Sequence, residues 1–317
     1  MSYKNIIIGL FDANTFIQPR YEIGDLIGSG GFGQTYKAKK IGDPYPVAIK
    51  KIKLHHNNKK LFHKEVNVLK KMQTEYKNYN VLCLIDKPFI INDYGYIVTE
   101  YIDTSIDMIE LLQDDDFNNS NFDVDQKRDL YIQLINGLEF IHGKGFIHMD
   151  IKPENIIVQP QDPARPGFAR GVIIDFGMTV QIDDKTSNIY GTPRYASPEL
   201  YDKSAAITSA TDIFSMGIVF YLFSFFPECQ FPFSTSEIEK WKLSSAYVKD
   251  FPSTLIIPNY SSNKHHTLSD FPFIISMLTI CPEDRPSAKH LLSLINKPIR
   301  TDPELHNDND AINQSDL

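Results

Sequence analysis

Cysteine is scarce, and the little there is forms no pattern: Cys83, Cys229 and Cys281 are odd in number, far apart and without a C-x-x-C pair. That spacing supports neither a disulfide framework nor a zinc site, and it reads as a reducing, cytoplasmic setting. Long apolar runs are missing too. The longest uncharged one, Ile213 to Phe226, falls short of the ~20 residues that a membrane span needs, and Ile6–Phe11 is short for a signal-peptide core. A surplus of positive charge is also lacking. With 32 basic against 40 acidic residues the net charge is −8, which argues against a nucleic-acid partner. What remains is ordinary for a soluble globular protein, 42% hydrophobic and 23% charged, and 317 residues suffice for one large domain or two moderate ones.

Against this background one stretch stands out, His148-Met149-Asp150-Ile151-Lys152-Pro153-Glu154-Asn155. It sets a carboxylate, a cation and an amide at fixed offsets. Phosphoryl transfer uses that combination to hold an attacking hydroxyl, neutralise a moving phosphoryl group and ligate Mg²⁺. D-x-K-x-x-N alone arises easily by chance. The apolar run Ile156-Ile157-Val158 behind it, and Ile173-Ile174-Asp175-Phe176-Gly177 further on, are harder to obtain that way.

Upstream, Tyr21–Ile27 alternates like a half-buried strand, Gly28-Ser29-Gly30-Gly31-Phe32-Gly33 interrupts it, and Gln34–Lys39 alternates again, which predicts a glycine-turned hairpin. A dinucleotide site needs a helix after such glycines, and here a strand follows. Taken alone, the loop is either a phosphate cradle lidded by Phe32 or an ordinary glycine hairpin. Val47-Ala48-Ile49-Lys50 reads as a buried strand closed by a lysine, and Leu61–Leu69 as a helix carrying Glu65. Singly, Lys50 is a snorkelling surface lysine and Glu65 a solvated helix charge. With the glycine loop, they fit a lysine that holds α- and β-phosphates and a glutamate that positions it. Val124–His142 has helical spacing, with Leu130, Leu134, Leu138 and Ile141 on one face, and Gly143-Lys144-Gly145 stops it before His148.

The ordered set of Gly28, Gly30 and Gly33, Val47–Lys50, Glu65, Asp150–Asn155, Asp175–Gly177, Ser197–Glu199, Asp212 and Arg285 resembles the eukaryotic-type serine/threonine protein kinases over residues 21–300. The resemblance implies an α+β, bilobal protein-kinase fold. A small antiparallel β-sheet lobe with one main helix would cover 21–99, a hinge 100–103, and a larger, mostly helical lobe 104–300. Residues 1–20 are then an N-terminal extension, and 301–317 an acidic tail expected to be disordered. ATP and Mg²⁺ are the implied cofactors, and proteins with Ser or Thr acceptors the implied substrates.

The same resemblance distributes roles. ATP would be held by Ile27, Gly28, Gly30, Gly33, Thr35, Ala48, Lys50 and Glu65, with Thr99 as gatekeeper and the backbone of Glu100 and Ile102 on adenine. Read without it, Thr99 is simply a β-branched strand residue. Asp150 would orient the acceptor hydroxyl, Lys152 would neutralise the γ-phosphoryl, and Asn155 and Asp175 would be the metal ligands. Lys152, with Thr192 in Gly191-Thr192-Pro193-Arg194-Tyr195, resembles the serine/threonine form and not the tyrosine form. Glu199 of the same segment would pair with Arg285, and Asp212 would tie down the catalytic loop. The alternative is an ATP-binding pseudokinase acting as a scaffold.

Several positions depart from the family pattern. Met149 stands where regulated members carry an arginine that receives an activation-loop phosphate. A methionine cannot make those charge-assisted bonds, so activity independent of phosphorylation at Thr186, Ser187 or Tyr190 is expected. Thr35 replaces valine, Ser197 alanine and Phe214 tryptophan. Gln159–Gly167 is longer and richer in proline than the tight hairpin expected there, a surface insertion ahead of a partner-binding loop. The acidic stretch 114–121 reads as a solvated loop, and Phe231-Pro232-Phe233 as a packing turn.

Overall fold

A computed structural model describes residues 6–7, 21–31, 33–73, 78–113, 122–182, 191–202, 206–226, 231–243, 248–256 and 271–295. Phe32, the 114–121 stretch, Thr186, Ser187, Tyr190 and the 301–317 tail lie outside these residues.

Strands β1 (Ile6–Ile7), β2 (Tyr21–Gly30), β3 (Gly33–Lys40), β4 (Pro46–Lys53), β5 (Phe89–Ile91) and β6 (Tyr94–Glu100) form one antiparallel sheet in the order β1-β2-β3-β4-β6-β5. The pleat divides its residues between two faces. Tyr21, Ala38, Val47, Ile49, Tyr96 and Val98 make a small core on the outer face. The inner face carries Thr35, Ala48, Lys50 and Thr99, in register as Thr35 opposite Lys50 and Ala48 opposite Thr99. Helix α1 (His56–Met72) packs beside the sheet through Phe62, Val66 and Leu69, spaced to share one helical face, and Lys70 and Lys71 lie in its last turn, where they suit the helix dipole.

The alternation expected along β2 fails beyond its first turn. Only Tyr21 is buried, while Leu26 is 51% and Ile27 46% exposed. Register shifts between Ile23 and Leu26 and between Leu26 and Gly28 interrupt its pairing with β3, and residues 24–30 are exposed. The N-terminal extension is more than a tail. Its Ile6 and Ile7 pair with Glu22 and Tyr21 and add an edge strand to the sheet.

Beyond Glu100 the chain is mainly helical: α2 (Met108–Gln113), α3 (Val124–Gly143), α4 (Ala210–Phe225), α5 (Thr235–Leu243), α6 (Phe271–Met277) and α7 (Ala288–Ile295). Helix α3 opens on a capping box, in which the Asp123 side chain accepts from the Gln126 N–H and the Gln126 side chain accepts from the Asp123 N–H. The face expected to be apolar, Leu130, Leu134, Leu138 and Ile141, is buried. Helix α4 is apolar all round and buried along nearly its whole length, as befits a central core helix. Among the described residues no helix is long and apolar enough to cross a membrane.

Two short sheets present the chemistry. Strands β7 (Ile106–Asp107), β9 (Ile156–Gln159) and β10 (Arg170–Ile173) run in the order β10-β9-β7, and β8 (Phe146–Ile147) pairs with β11 (Val180–Gln181). Residues 148–155 bridge β8 and β9. Because Ile156 pairs with Ile173, Asn155 and Asp175 emerge at the same end of the β9-β10 ribbon.

Candidate active site

The loop 148–155 is held from beneath by one buried acid. Asp212, in the first turn of α4, accepts the His148 N–H at Oδ2 (2.7 Å), the Met149 N–H at Oδ1 (2.9 Å) and the His142 ring at Oδ2 (2.9 Å). Burial pushes its carboxyl up, but His142 and these bonds outweigh that and hold it below the usual carboxylate range. The bonds also hold Met149 at φ 72, a left-handed conformation rare for methionine. The His148 ring fixes the other side. Its Nε2–H donates to the Ile174 carbonyl (2.9 Å), so Nδ1 is free to accept the Asp150 N–H (3.3 Å).

Asp150 thus faces the cleft with both oxygens engaged. Oδ1 accepts from the Thr192 N–H (2.9 Å) and hydroxyl (2.8 Å), and Oδ2 from the Asn155 amide (2.9 Å) and Lys152 (2.8 Å). Lys152 Nζ also donates to Thr192 Oγ1 at 2.7 Å. A hydroxyl already sits between this acid and this cation, and it belongs to a threonine. Gly191 makes the approach possible: at φ 101, a Cβ there would run into the Met149 carbonyl oxygen.

Across the cleft Lys50 Nζ bridges Glu65 Oε1 (2.8 Å) and Asp175 Oδ1 (2.9 Å), linking β4, α1 and the segment after β10. Burial pulls the Lys50 ammonium down, but the two carboxylates prevail and hold it above the usual lysine range. Burial likewise pushes Asp175 up, and Lys50 prevails in holding it low. Glu65 is fully enclosed, and burial pushes its carboxyl up against the pull of Lys50. Phe176, entirely buried, packs edge-on against His148 at 5.2 Å and so joins the two halves of the site.

The donor set fits a hard cation completed by ligand oxygens. The Asn155 amide nitrogen is engaged by the Asp150 carbonyl (2.8 Å) and carboxylate, which turns its oxygen outward, and Asp175 receives its hydrogen bonds at Oδ1, leaving Oδ2. The hairpin above fits an anion. A Cβ on Gly30 would meet nothing and on Gly28 only Thr35 Cβ at 3.8 Å, so no contact within the protein requires glycine at either place. Gly33 is different: at φ 144, its Cβ would press on the Lys51 carbonyl, and its role is in the backbone.

Residues 21–294 match the protein kinase domain family. The chain belongs to that family. The protein kinase fold is shared with a crystal structure of a kinase domain at a TM-score of 0.65 and 20% identity, covering 86% of this chain and 93% of that one. Similar proteins include a maternal embryonic leucine zipper kinase of Xenopus tropicalis, 27% identical over 86% of this chain and 38% of its own, and the serine/threonine-protein kinase chk-2 of Caenorhabditis elegans, 28% identical over 84% and 54%. The chain thus spans about two fifths to one half of the length of these relatives.

In this member of the family the residues singled out in the sequence divide into groups. Lys50, Glu65, Asp150, Lys152, Asn155, Asp175 and Thr192 converge on one cleft, with Thr35, Ala48 and Thr99 on the sheet face above. Glu199 does not join them. It is buried in a two-pronged pair with Arg285 (2.6 and 2.8 Å) and accepts the Thr211 hydroxyl at 3.0 Å, a bond of the large-lobe core. Glu100, the last residue of β6, turns its side chain to Arg170 (3.1 Å), a partner the sequence did not reveal. An arginine opening an otherwise apolar strand was the only hint. The insertion lies on the surface as expected, with residues 161, 163, 164 and 166–168 exposed, but Asp162 within it is only 1% exposed.

Proposed function

We propose that this chain transfers the γ-phosphate of Mg-ATP to serine and threonine hydroxyls of proteins. The observation that carries the reading is Thr192 Oγ1 between Asp150 and Lys152, since an acceptor hydroxyl needs that same carboxylate and cation. Asp150 orients the acceptor and takes up its proton. Lys152 offsets charge on the group in transit, and Lys50, positioned by Glu65, holds the nucleotide's α- and β-phosphates. Asp175 and Asn155 would hold Mg²⁺, which would supply charge neutralisation at the phosphates. Thr35, Ala48, Thr99 and the backbone of Glu100 and Ile102 form the adenine wall, with Ile27 as its exposed upper edge.

Activity without an activation-loop phosphate is part of the proposal. Met149 is buried with Ile147, Val180 and Leu200, so apolar packing joins the catalytic loop to both ends of the activation segment where a phosphate-binding cation is otherwise needed. Two comparisons test the reading with purified protein, Mg-ATP and a mixed peptide library. Asp150→Asn is expected to lower transfer by ~10²–10⁴-fold, and equal incorporation by wild type and variant would leave a nucleotide-binding scaffold instead. Replacing Thr186 and Ser187 by alanine and Tyr190 by phenylalanine is expected to leave kcat within about twofold; loss of turnover in a folded triple variant refutes phosphate independence.

A further inference from the structure

The insertion that follows β9 has no task in phosphoryl transfer, yet both its charged groups bond back onto the fold, Asp162 from a buried position and Arg165 with its side chain 40% exposed. Asp162 accepts the Tyr79 hydroxyl (2.7 Å), the Ala164 N–H (2.9 Å) and Arg165 Nε (3.1 Å). Arg165 goes on to grip Asp129 of α3 with two bonds (2.9 and 3.1 Å). Tyr79 lies in the segment between α1 and β5. Its ring stacks under the Arg170 guanidinium at 4.0 Å, and its carbonyl accepts from Arg170 Nε (3.1 Å) and Nη2 (2.9 Å). Arg170 Nη2 reaches Glu100 Oε2 at 3.1 Å, and the other Glu100 oxygen accepts the Cys83 N–H at 3.1 Å. One polar chain therefore runs from α3 through the insertion and the 79–83 segment to the first residue of the hinge.

We infer that the insertion is a stay for the hinge: acting through Tyr79 and Arg170, it fixes Glu100 and so sets how readily the lobes part to release nucleotide. The inference rests on the kinase reading above. A guanidinium is a rigid planar fork, so Arg170 serves the Tyr79 carbonyl and Glu100 together in only one orientation, and stacking on Tyr79 sets that orientation. The Tyr79 ring is 43% exposed, and besides its stacking on Arg170 its bond to Asp162, which is itself pinned, is what holds it in place. Arg170 opens β10, the strand that leads to Asp175, so the stay spans the adenine end and the metal end of the site. Lobe opening gates product release in bilobal enzymes, and this chain adds side-chain links to the backbone bonds of Asn80 and Leu82 with Ile173 (2.9 and 3.0 Å) that tie the 79–83 segment to β10.

Tyr79→Phe removes one hydroxyl from an exposed ring, and Arg170→Met removes the guanidinium while keeping an apolar stem. Stopped-flow displacement of a fluorescent ADP analogue measures release, and single-turnover transfer measures chemistry. Each variant is expected to release nucleotide about threefold faster or more, with a raised KM for ATP and unchanged transfer, and the double variant no faster than Arg170→Met, because both cut one chain. Release at the wild-type rate in Tyr79→Phe overturns the stay, as do effects that multiply in the double variant. Should Arg170→Met fail to fold, Tyr79→Phe alone decides. A wild-type protein that binds no nucleotide defeats the kinase reading; one that binds and transfers while Tyr79→Phe matches it defeats only the stay.

Discussion

One hydroxyl is out of place at the foot of the activation segment. Ser197 is fully buried, and its Oγ has no hydrogen-bond partner among the described residues. An unsatisfied buried hydroxyl costs ~1–3 kcal/mol, while alanine fills nearly the same space. Ser197→Ala is therefore expected to raise stability by ~1 kcal/mol, or about 2–4 °C in melting temperature for a chain of this size. A differential scanning measurement checks it, and an unchanged or lower midpoint would mean the hydroxyl is satisfied after all. Gly191 offers the opposite case. Gly191→Ala would force a Cβ against the Met149 carbonyl at φ 101 and push Thr192 off Asp150. The expected result is a loss of ~1–3 kcal/mol together with lower transfer, read by melting and by single turnover.

At the scale of elements, short loops carry the chemistry and long elements hold them. Asp212 shows how: a residue in the first turn of a core helix fixes two successive N–H groups of the catalytic loop. Asp212→Asn keeps the shape but removes the charge facing His142 and puts an N–H donor where only acceptors fit. Breaking such a buried arrangement costs ~3 kcal/mol or more, and the loss should fall on kcat more than on the KM for ATP, because Lys50 and Glu65 stand apart from it. A normal kcat with a raised KM would contradict this assignment. Asp212, Glu199 and Arg285 were legible in the sequence through the resemblance to the protein kinase family that the ordered motifs carry, whereas α3 was legible from helical periodicity alone. The chain from Asp129 to Glu100 was not. Its members come from five separate segments, follow no period, and meet only because β10, α3 and the 79–83 segment pack together. The exposure of β2 was hidden for a related reason: alternation reports that a strand has two faces, and says nothing of whether protein covers either.

The whole molecule should answer to acid in a direction set by its buried carboxylates. Asp86 and Asp162 are pushed up by burial but held low by Lys40 and Tyr21 in the first case and by Tyr79, Ala164 and Arg165 in the second, and Asp175 and Asp212 are held low as described. These four stand in the sheet lobe, the insertion, the cleft and the large-lobe core. A carboxylate with a depressed folded-state pKa contributes stability that is present above its unfolded value, about 3.9, and is lost as pH falls through the folded value. Glu65 runs the other way, since its raised carboxyl favours the folded state once protonated, and its contribution opposes the decline. Stability is therefore expected to be level above about pH 5 and to fall steadily below it. The single tryptophan makes this measurable: Trp241 is 4% exposed and packed edge-on against Phe251 at 5.0 Å, so its emission reports unfolding of the large lobe. Urea titrations of tryptophan fluorescence from pH 7 down to pH 3 should show the midpoint dropping at the acid end. In Asp212→Asn the drop should be shallower, because one of the four depressed carboxylates is gone; an equally steep drop in that variant would place the acid sensitivity elsewhere.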